Sequence, residues 1–232
     1  MVMERERRAL SSVLLVAMLG TYVAFLATIY GSEARDKYDE VPVITYLEQY
    51  QVATSKAYML ALGILGWAAF LSSADVYYRF VDNPPLFVVA SACLVVGLLA
   101  IVMQAYTLSP RGEPRDPDRV FQHQAWTATF AACFLAAMSV YARRSWQTKH
   151  LPYTRASLLA SSALGGIVYV LSYSIRIRIG IRSFEYRSEG ALTAAAVGQN
   201  VLIMSSLLFY VSTVRELWPS RETERASLLR GP

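Results

Sequence analysis

The chain has 232 residues, of which 55% are hydrophobic and 17% are charged, and its formal net charge is +5. A soluble domain has roughly 45–50% apolar and about 25% charged residues, so this composition excludes an ordinary soluble protein. It also excludes a disordered chain, because 12% of the residues are aromatic and there is too little charge to keep the chain expanded in water. The composition indicates a membrane protein.

Six uninterrupted apolar runs are each long enough to cross a bilayer, which takes about 20 residues of helix. They predict an all-α fold, a polytopic membrane protein built as a six-transmembrane-helix bundle with short loops. Residues 1–232 form a single transmembrane domain in this interpretation, since two tails and five connections use up the remainder of the chain. The first run is too long for a signal peptide, whose apolar region has about 7–15 residues, and is interpreted as a retained helix. The predicted spans are 9–30, 57–76, 86–106, 121–142, 156–175 and 191–214.

The basic residues predict the orientation of this bundle. With six spans both termini lie on one side of the membrane, and twelve of the 22 Lys and Arg residues fall on that side. The positive-inside rule therefore favours cytoplasmic termini in an integral membrane protein. Because the basic residues lie in short turns and not on one face of a domain, we expect contact with anionic lipids, including phospholipids or phosphoinositides, and no nucleic acid.

The connections and span interiors carry further structural signals. The first connection contains the apolar segment 41–47, which is expected to fold down on the helix ends. Residues 175–182 alternate Ile with Arg or Gly, which fits either a short extended strand or a helix end whose arginines reach for lipid phosphates. Small residues spaced four apart, such as Ala194 with Gly198, predict close helix packing. Cys93 and Cys133 lie in neighbouring spans at similar depth and are candidate neighbours.

Polar side chains within or beside the spans form the candidate site. They cluster in the predicted outer half, where they suggest a lipid or partner pocket open to the outer leaflet. Interhelical hydrogen bonding is the alternative, and it is the commoner role of such residues in helical bundles. The residues of this candidate pocket are Glu48, Gln104, His123, Gln199 and Asn200.

Catalytic chemistry finds little support in the sequence. A catalytic zinc site needs three protein ligands, and the two histidines, His123 and His150, are predicted on opposite sides of the membrane. Asp75 precedes Arg79 by one helical turn, which indicates an ordinary ion pair. We therefore predict no catalytic residues, no metal and no cofactor, and the sequence favours a non-catalytic protein over an enzyme.

The C-terminal tail contains a short sorting pattern. Glu224 is followed after three residues by Leu228 and Leu229, which resembles an acidic dileucine signal for endosomes and lysosomes. Such a signal works only from the cytoplasm, in agreement with the predicted orientation. The predicted location is an endomembrane, which is the lysosome, endosome or Golgi, or the plasma membrane.

Four stretches resemble the Frag/DRAM/Sfk family of six-span membrane proteins. They are Val-Pro-Val-Ile-Thr-Tyr at 41–46, Ser-Ala-Asp-Val-Tyr-Tyr-Arg-Phe at 73–80, His123 at the start of the fourth span, and Gly-Gln-Asn at 198–200 followed by Leu-Leu-Phe-Tyr-Val-Ser-Thr-Val-Arg-Glu-Leu at 207–217. The chain departs from the family in the first connection. There Thr-Tyr-Leu-Glu at 45–48 stands where relatives continue from Pro-x-Ile-Ser to an Asp-x-Gly and a Pro-Glu pair, which implies a changed target.

The resemblance implies a non-catalytic regulator that binds lipids or acts in membrane trafficking. Relatives are tied to lysosomal autophagy, to recruitment of phosphoinositide kinases and to remodelling of lipid anchors. Two alternatives stay open from the sequence: an accessory or structural subunit of a larger membrane complex, and a lipid-anchor remodelling factor. Abundant small-residue helix faces indicate other membrane proteins as partners.

Overall fold

The structure is a computed structural model of the whole chain. It describes residues 2–33, 42, 44–48, 51–79, 84–108, 110, 117–149, 151–182 and 191–217.

The described residues form seven α-helices, and six of them are long and apolar enough to span a membrane. This confirms the predicted all-α, six-span membrane fold. The short α2 precedes the second span, and its five residues are too few to cross a membrane. The helices are α1 (Val2–Tyr30), α2 (Ile44–Glu48), α3 (Val52–Arg79), α4 (Pro84–Thr107), α5 (Pro117–Thr148), α6 (Pro152–Arg182) and α7 (Ala191–Leu217).

The long helices run alternately up and down through the bundle. We call the end where α1 finishes and α2 lies the α2 side, and the other end the opposite side. Three helices begin at a proline, namely α4 at Pro84, α5 at Pro117 and α6 at Pro152. Proline suits a first helical position because its fixed φ matches the helix and its missing N–H has no intrahelical partner there.

The outer faces of the long helices are apolar and exposed. Val13 on α1, Leu71 on α3, Val88 on α4 and Leu164 on α6 are each more than half exposed. A soluble monomer rarely leaves large apolar side chains exposed on every helix. These faces are suited to contact with the hydrocarbon chains of a bilayer, so the protein is a multi-pass membrane protein.

The closest helix contact joins α6 to α7 through two facing glycines. A Cβ atom on Gly165 would lie 2.8 Å from the carbonyl oxygen of Gly198, and one on Gly198 would lie 2.7 Å from that of Gly165. Beside them the Ser162 hydroxyl lies 2.8 Å from that of Ser206 and 3.0 Å from the Leu202 carbonyl oxygen. The small residues thus serve close packing, as their spacing predicts.

The described part of the apolar segment in the first connection, residues 42 and 44–47, folds onto the α2 side of the bundle, as its apolar residues predict. The side chains of Ile44 and Leu47 are buried. They belong to an apolar cluster that joins α2 to α1, α3 and α7. Its buried members are Met18, Tyr22, Phe25, Ile29, Ile44, Leu47, Leu62 and Leu207.

Residues 175–182 are helical, because α6 continues to Arg182. The extended strand is therefore the wrong one of the two alternatives. An unpaired strand beside a membrane would leave its backbone polar groups without partners, whereas a helix satisfies them internally. The side chains of Asp75 and Arg79 and the sorting pattern of Glu224, Leu228 and Leu229 lie outside the described residues.

Arg155 differs from the sequence interpretation, which counts it among the basic residues of the turns. Its side chain is fully buried near the start of α6. Its guanidinium donates to the Ser145 hydroxyl at 2.7 Å, to the Ser212 hydroxyl at 3.2 Å and to the Ser212 carbonyl oxygen at 3.4 Å. These bonds satisfy a buried charge and join α5, α6 and α7 on the opposite side.

Candidate ligand cavity

A hydrogen bond from α7 fixes α2 on the bundle. The backbone N–H of Ile44 donates to the side-chain oxygen of Gln199 at 2.9 Å, across 155 residues of sequence. Ile44 is the first residue of α2, so its N–H has no partner within the helix. The Gln199 amide supplies that partner and holds α2 against α7.

The neighbouring residue, Asn200, holds the segment just before α2 through a chain of hydrogen bonds. Its amide nitrogen donates to the Tyr30 hydroxyl oxygen at 3.1 Å, and the Tyr30 hydroxyl donates to the Pro42 carbonyl at 3.0 Å. The Asn200 side-chain oxygen accepts from the Tyr22 hydroxyl at 3.3 Å. Asn200 therefore ties α1, α7 and the first connection together.

Below α2 the helices enclose a cavity between α1, α3, α4, α5 and α7. About 680 Å³ inside it and at its opening is free of protein atoms. Most of its lining is apolar or aromatic, including Phe25, Phe130 and Leu207, and the polar lining side chains are those of Tyr22, Glu48, Gln104, Gln199 and Ser206.

Glu48 is the cavity's unsatisfied polar group. Its side chain is 1% exposed, and its Oε1 atom has no hydrogen-bond partner. Burial raises the pKa of this carboxyl from 4.5 to about 8, because the charged form is poorly solvated there. The carboxyl is therefore mostly protonated at neutral pH, and in that form it can both donate and accept a hydrogen bond.

The structure brings three of the five predicted site residues together around this cavity. Glu48, Gln104 and Gln199 contribute to its lining, whereas His123 and Asn200 do not. The His123 ring nitrogen Nδ1 lies 3.3 Å from the Thr107 hydroxyl, which links α5 to α4. For His123 and Asn200 the contacts are those of interhelical hydrogen bonding, and the binding role of the other three stays a prediction.

Two tyrosines of α1 belong to this end of the bundle and were not among the predicted site residues. Tyr22 lines the cavity, and Tyr30 supports the connection above it. Tyr30 ends the first apolar run, where aromatic rings commonly lie at the membrane interface, and Tyr22 on its own is not singled out by the sequence. The sequence does contain one signal for this pair. Tyr22 and Tyr30 are eight residues apart in the same apolar run, so their hydroxyls can face the same neighbouring helix.

The arrangement of the described residues is suited to binding. Among the described residues there is no group of three His, Cys, Asp or Glu side chains that could hold a metal ion. The thiols of Cys93 and Cys133 are neighbours within hydrogen-bonding reach, as their depth predicts, but they do not line the cavity. The cavity can surround an apolar group and present a carboxyl and two amides to a polar one.

No family model, no curated protein and no solved structure matches this chain. Membership of the Frag/DRAM/Sfk family therefore stays a prediction carried by the short motifs.

Proposed function

We propose that this multi-pass membrane protein binds a lipid in the cavity below α2 and acts as a non-catalytic regulator of the kind that the Frag/DRAM/Sfk resemblance implies. The observation that carries the proposal is Glu48, a buried carboxyl with an unpartnered oxygen on the wall of a mainly apolar cavity. An unsatisfied buried polar atom costs about 1–3 kcal/mol. A bound group that donates a hydrogen bond to it would remove this cost.

The lining defines the polar group of the ligand. None of the described residues that line the cavity is Lys, Arg or His, so an anionic headgroup would meet the Glu48 carboxyl without a compensating cation from them. A hydroxyl or an amine can donate to that carboxyl, and the amides of Gln104 and Gln199 provide further polar contacts. The proposed headgroup is therefore small and either neutral or cationic.

The position of the cavity favours a lipid over a water-soluble ligand. Its walls come from membrane-spanning helices, and apolar side chains such as Phe25, Phe130 and Leu207 form most of its surface. Each methylene group that a ligand buries there contributes about 0.8 kcal/mol. Hydrocarbon thus supplies affinity, and Glu48 supplies selectivity.

Binding by the full-length protein in phosphatidylcholine nanodiscs tests the proposal. The probes are dodecanol, dodecylamine and dodecanoate, which share a chain and differ in headgroup. We expect the alcohol and the amine to bind and dodecanoate to bind at least about tenfold more weakly, the equivalent of about 1.4 kcal/mol. Equal binding of all three would contradict the proposed headgroup selectivity, and no binding of any would contradict the function.

Two substitutions locate the effect at Glu48. Glu48→Leu removes the acceptor and is expected to weaken dodecanol and dodecylamine binding about tenfold. Glu48→Gln keeps a carbonyl oxygen and should retain dodecanol while losing dodecylamine. Glu33→Gln is the matched control, because Glu33 is exposed on the same side of the bundle. Wild-type affinities in Glu48→Leu would place the ligand elsewhere.

The proposal places both termini in the cytoplasm of cells and the protein in endomembranes. It is supported by the excess of Lys and Arg on the terminal side and by the pattern of Glu224, Leu228 and Leu229. Epitope tags at each terminus, probed after selective permeabilisation of the plasma membrane, test the orientation. Loss of lysosomal or endosomal staining in Leu228→Ala/Leu229→Ala would support the sorting role, and unchanged staining would contradict it.

A further inference from the structure

A second cavity lies deeper in the bundle, toward the opposite side. It has about 500 Å³ of space free of protein atoms, its opening included. Its walls come from α1, α3, α4, α5 and α7, which also line the first cavity, whereas α2 lines the first cavity alone. The lining residues include Leu15, Leu94, Leu98 and Tyr210. A single set of helices therefore encloses two spaces along the bundle axis.

The two cavities share two wall residues, Met18 of α1 and Phe134 of α5. Phe134 is held by aromatic contacts, with ring centroids 4.6 Å from Phe130 and 5.4 Å from Tyr210. Met18 has an unbranched side chain with three rotatable bonds, which adapts readily to its surroundings. Of the two side chains that both cavities share, Phe134 is therefore held in place, whereas Met18 can move by changing its rotamer.

The second cavity offers hydrocarbon contacts and hardly any polar ones. Three hydroxyls lie on its wall, those of Tyr141, Tyr210 and Thr213. The Tyr210 hydroxyl donates to the Phe134 carbonyl oxygen at 3.5 Å and the Thr213 hydroxyl donates to the Tyr210 carbonyl oxygen, so these two protons are already used within the protein. An apolar cavity of this kind excludes water and accepts apolar groups.

Together the cavities have the length of a long lipid chain. Along α7 they extend from Gln199 to Thr213, fourteen residues, which is about 21 Å at about 1.5 Å per helical residue. This exceeds half of a hydrocarbon core of about 30 Å. A ligand with its headgroup at Glu48 thus has room for a chain that passes the middle of the membrane inside the protein.

We propose that the two cavities form one site for a single-chain amphiphile, whose headgroup lies at Glu48 and whose chain passes Met18 and Phe134 into the second cavity. This inference rests on the proposed lipid-binding function and adds the chemical class of the ligand. The chain would pass where Met18 and Phe134 belong to the walls of both cavities, and a rotamer change of Met18 would make room there for one chain.

Chain length separates this inference from the proposed function. In nanodiscs, octylamine and hexadecylamine carry the same headgroup, and only the longer one reaches past Met18. Leu94→Trp places a larger side chain in the second cavity. It leaves the Glu48 cavity intact, because Leu94 lines only the second cavity. We expect this variant to bind hexadecylamine about tenfold more weakly than wild type and octylamine unchanged, because methylene burial is lost for the long chain alone.

Leu164→Trp is the matched control, because Leu164 is 62% exposed on the outer face of α6. Equal loss of hexadecylamine binding in both variants, or none in Leu94→Trp, would overturn the inference and leave the proposed function standing. Failure of wild type to bind either amine would overturn both. Retained octylamine binding also shows that Leu94→Trp is folded.

Photo-crosslinking of the wild-type protein gives a second measurement, which does not depend on any substitution. A hexadecylamine with a diazirine at the chain end should label residues on the wall of the second cavity, such as Leu94, Leu98 or Leu15. Labelling confined to outward-facing residues such as Val88 or Leu171 would place the chain in the surrounding lipid and overturn the inference.

Discussion

Gln199 and Ile44, which are 155 residues apart, are joined by a hydrogen bond of 2.9 Å from the Ile44 backbone N–H to the Gln199 side-chain oxygen. Through this bond the last spanning helix holds α2, and α2 carries Glu48. The position of the candidate ligand-binding carboxyl therefore depends on an amide in another helix.

Gln199→Leu should release α2 from the bundle. Leucine has a similar size but no acceptor, so the buried N–H of Ile44 loses its partner at a cost of about 1–3 kcal/mol. We expect faster hydrogen exchange at residues 44–48 and a lower unfolding temperature in detergent. Gln122→Leu, at an exposed amide of α5, is the control. Unchanged exchange at 44–48 would show that α2 is held by its apolar contacts alone.

Glu48 should make the stability of the protein depend on pH. The pKa of its carboxyl is about 8 in the folded protein and 4.5 as its ordinary value, so between these values the folded state binds a proton that the unfolded state has lost. The free energy of unfolding then falls as pH rises from 4.5 to 8, by at most about 1.4 kcal/mol for each pH unit, and levels off above.

Thermal unfolding measured across that pH range checks this prediction. Glu48→Gln, which cannot ionise, should be more stable than wild type at pH 8 and should lack the downward slope. If wild type and Glu48→Gln give parallel curves, the carboxyl is ionised well below pH 8 and does not have the proposed environment.

Arg155 should be required for stability although it lines neither cavity. Arg155→Met keeps an unbranched chain and removes the donors to Ser145 and Ser212. Hydrogen bonds between membrane helices average about 0.6 kcal/mol and reach about 1.7 kcal/mol, so a loss of about 2 kcal/mol is expected. Denaturant titration in mixed micelles measures it. Arg143→Met, at an exposed arginine, should change stability by less than about 0.5 kcal/mol.

Gly198→Ala should separate α6 from α7. The new Cβ would lie 2.6 Å from the Tyr169 nitrogen and 2.7 Å from the Gly165 oxygen, both backbone atoms that move only with their helix. A loss of about 1–3 kcal/mol is expected, as for other overpacked interfaces. Gly20→Ala is the control, since nothing lies within 4 Å of the new methyl group, and it should be neutral or slightly stabilising. Equal stability of both variants would contradict the close contact.

The spans were predictable because run length and apolar composition depend on the sequence alone. The helices extend beyond the apolar runs, as α6 does to Arg182, since a helix continues as long as its backbone bonds are satisfied. Three of the five polar residues that the sequence singles out, Glu48, Gln104 and Gln199, line one cavity. Their partners could not be read, because a bond such as that of Tyr22 to Asn200 depends on which helices become neighbours.

Arg155 shows the same limit for charge. A basic residue four positions after a turn and before an apolar run is ordinarily counted with the turn. Its burial depends on acceptors that come from Ser145 on one helix and Ser212 on another, ten and 57 residues away. The sequence contains many serines, and only the packed bundle shows which of them meet the guanidinium.

The hydrogen bonds from Gln199 and Asn200 also set an order of assembly during synthesis. The ribosome completes α1 and α2 long before the chain reaches α7, so Ile44, Tyr22 and Tyr30 must wait for partners more than 150 residues downstream. Until the last helix leaves the insertion machinery, the cavity lacks one wall and the bonds that hold α2 across it. Binding of the proposed ligand would therefore begin only after translation of the sixth span, and an occupied site would mark a fully inserted chain.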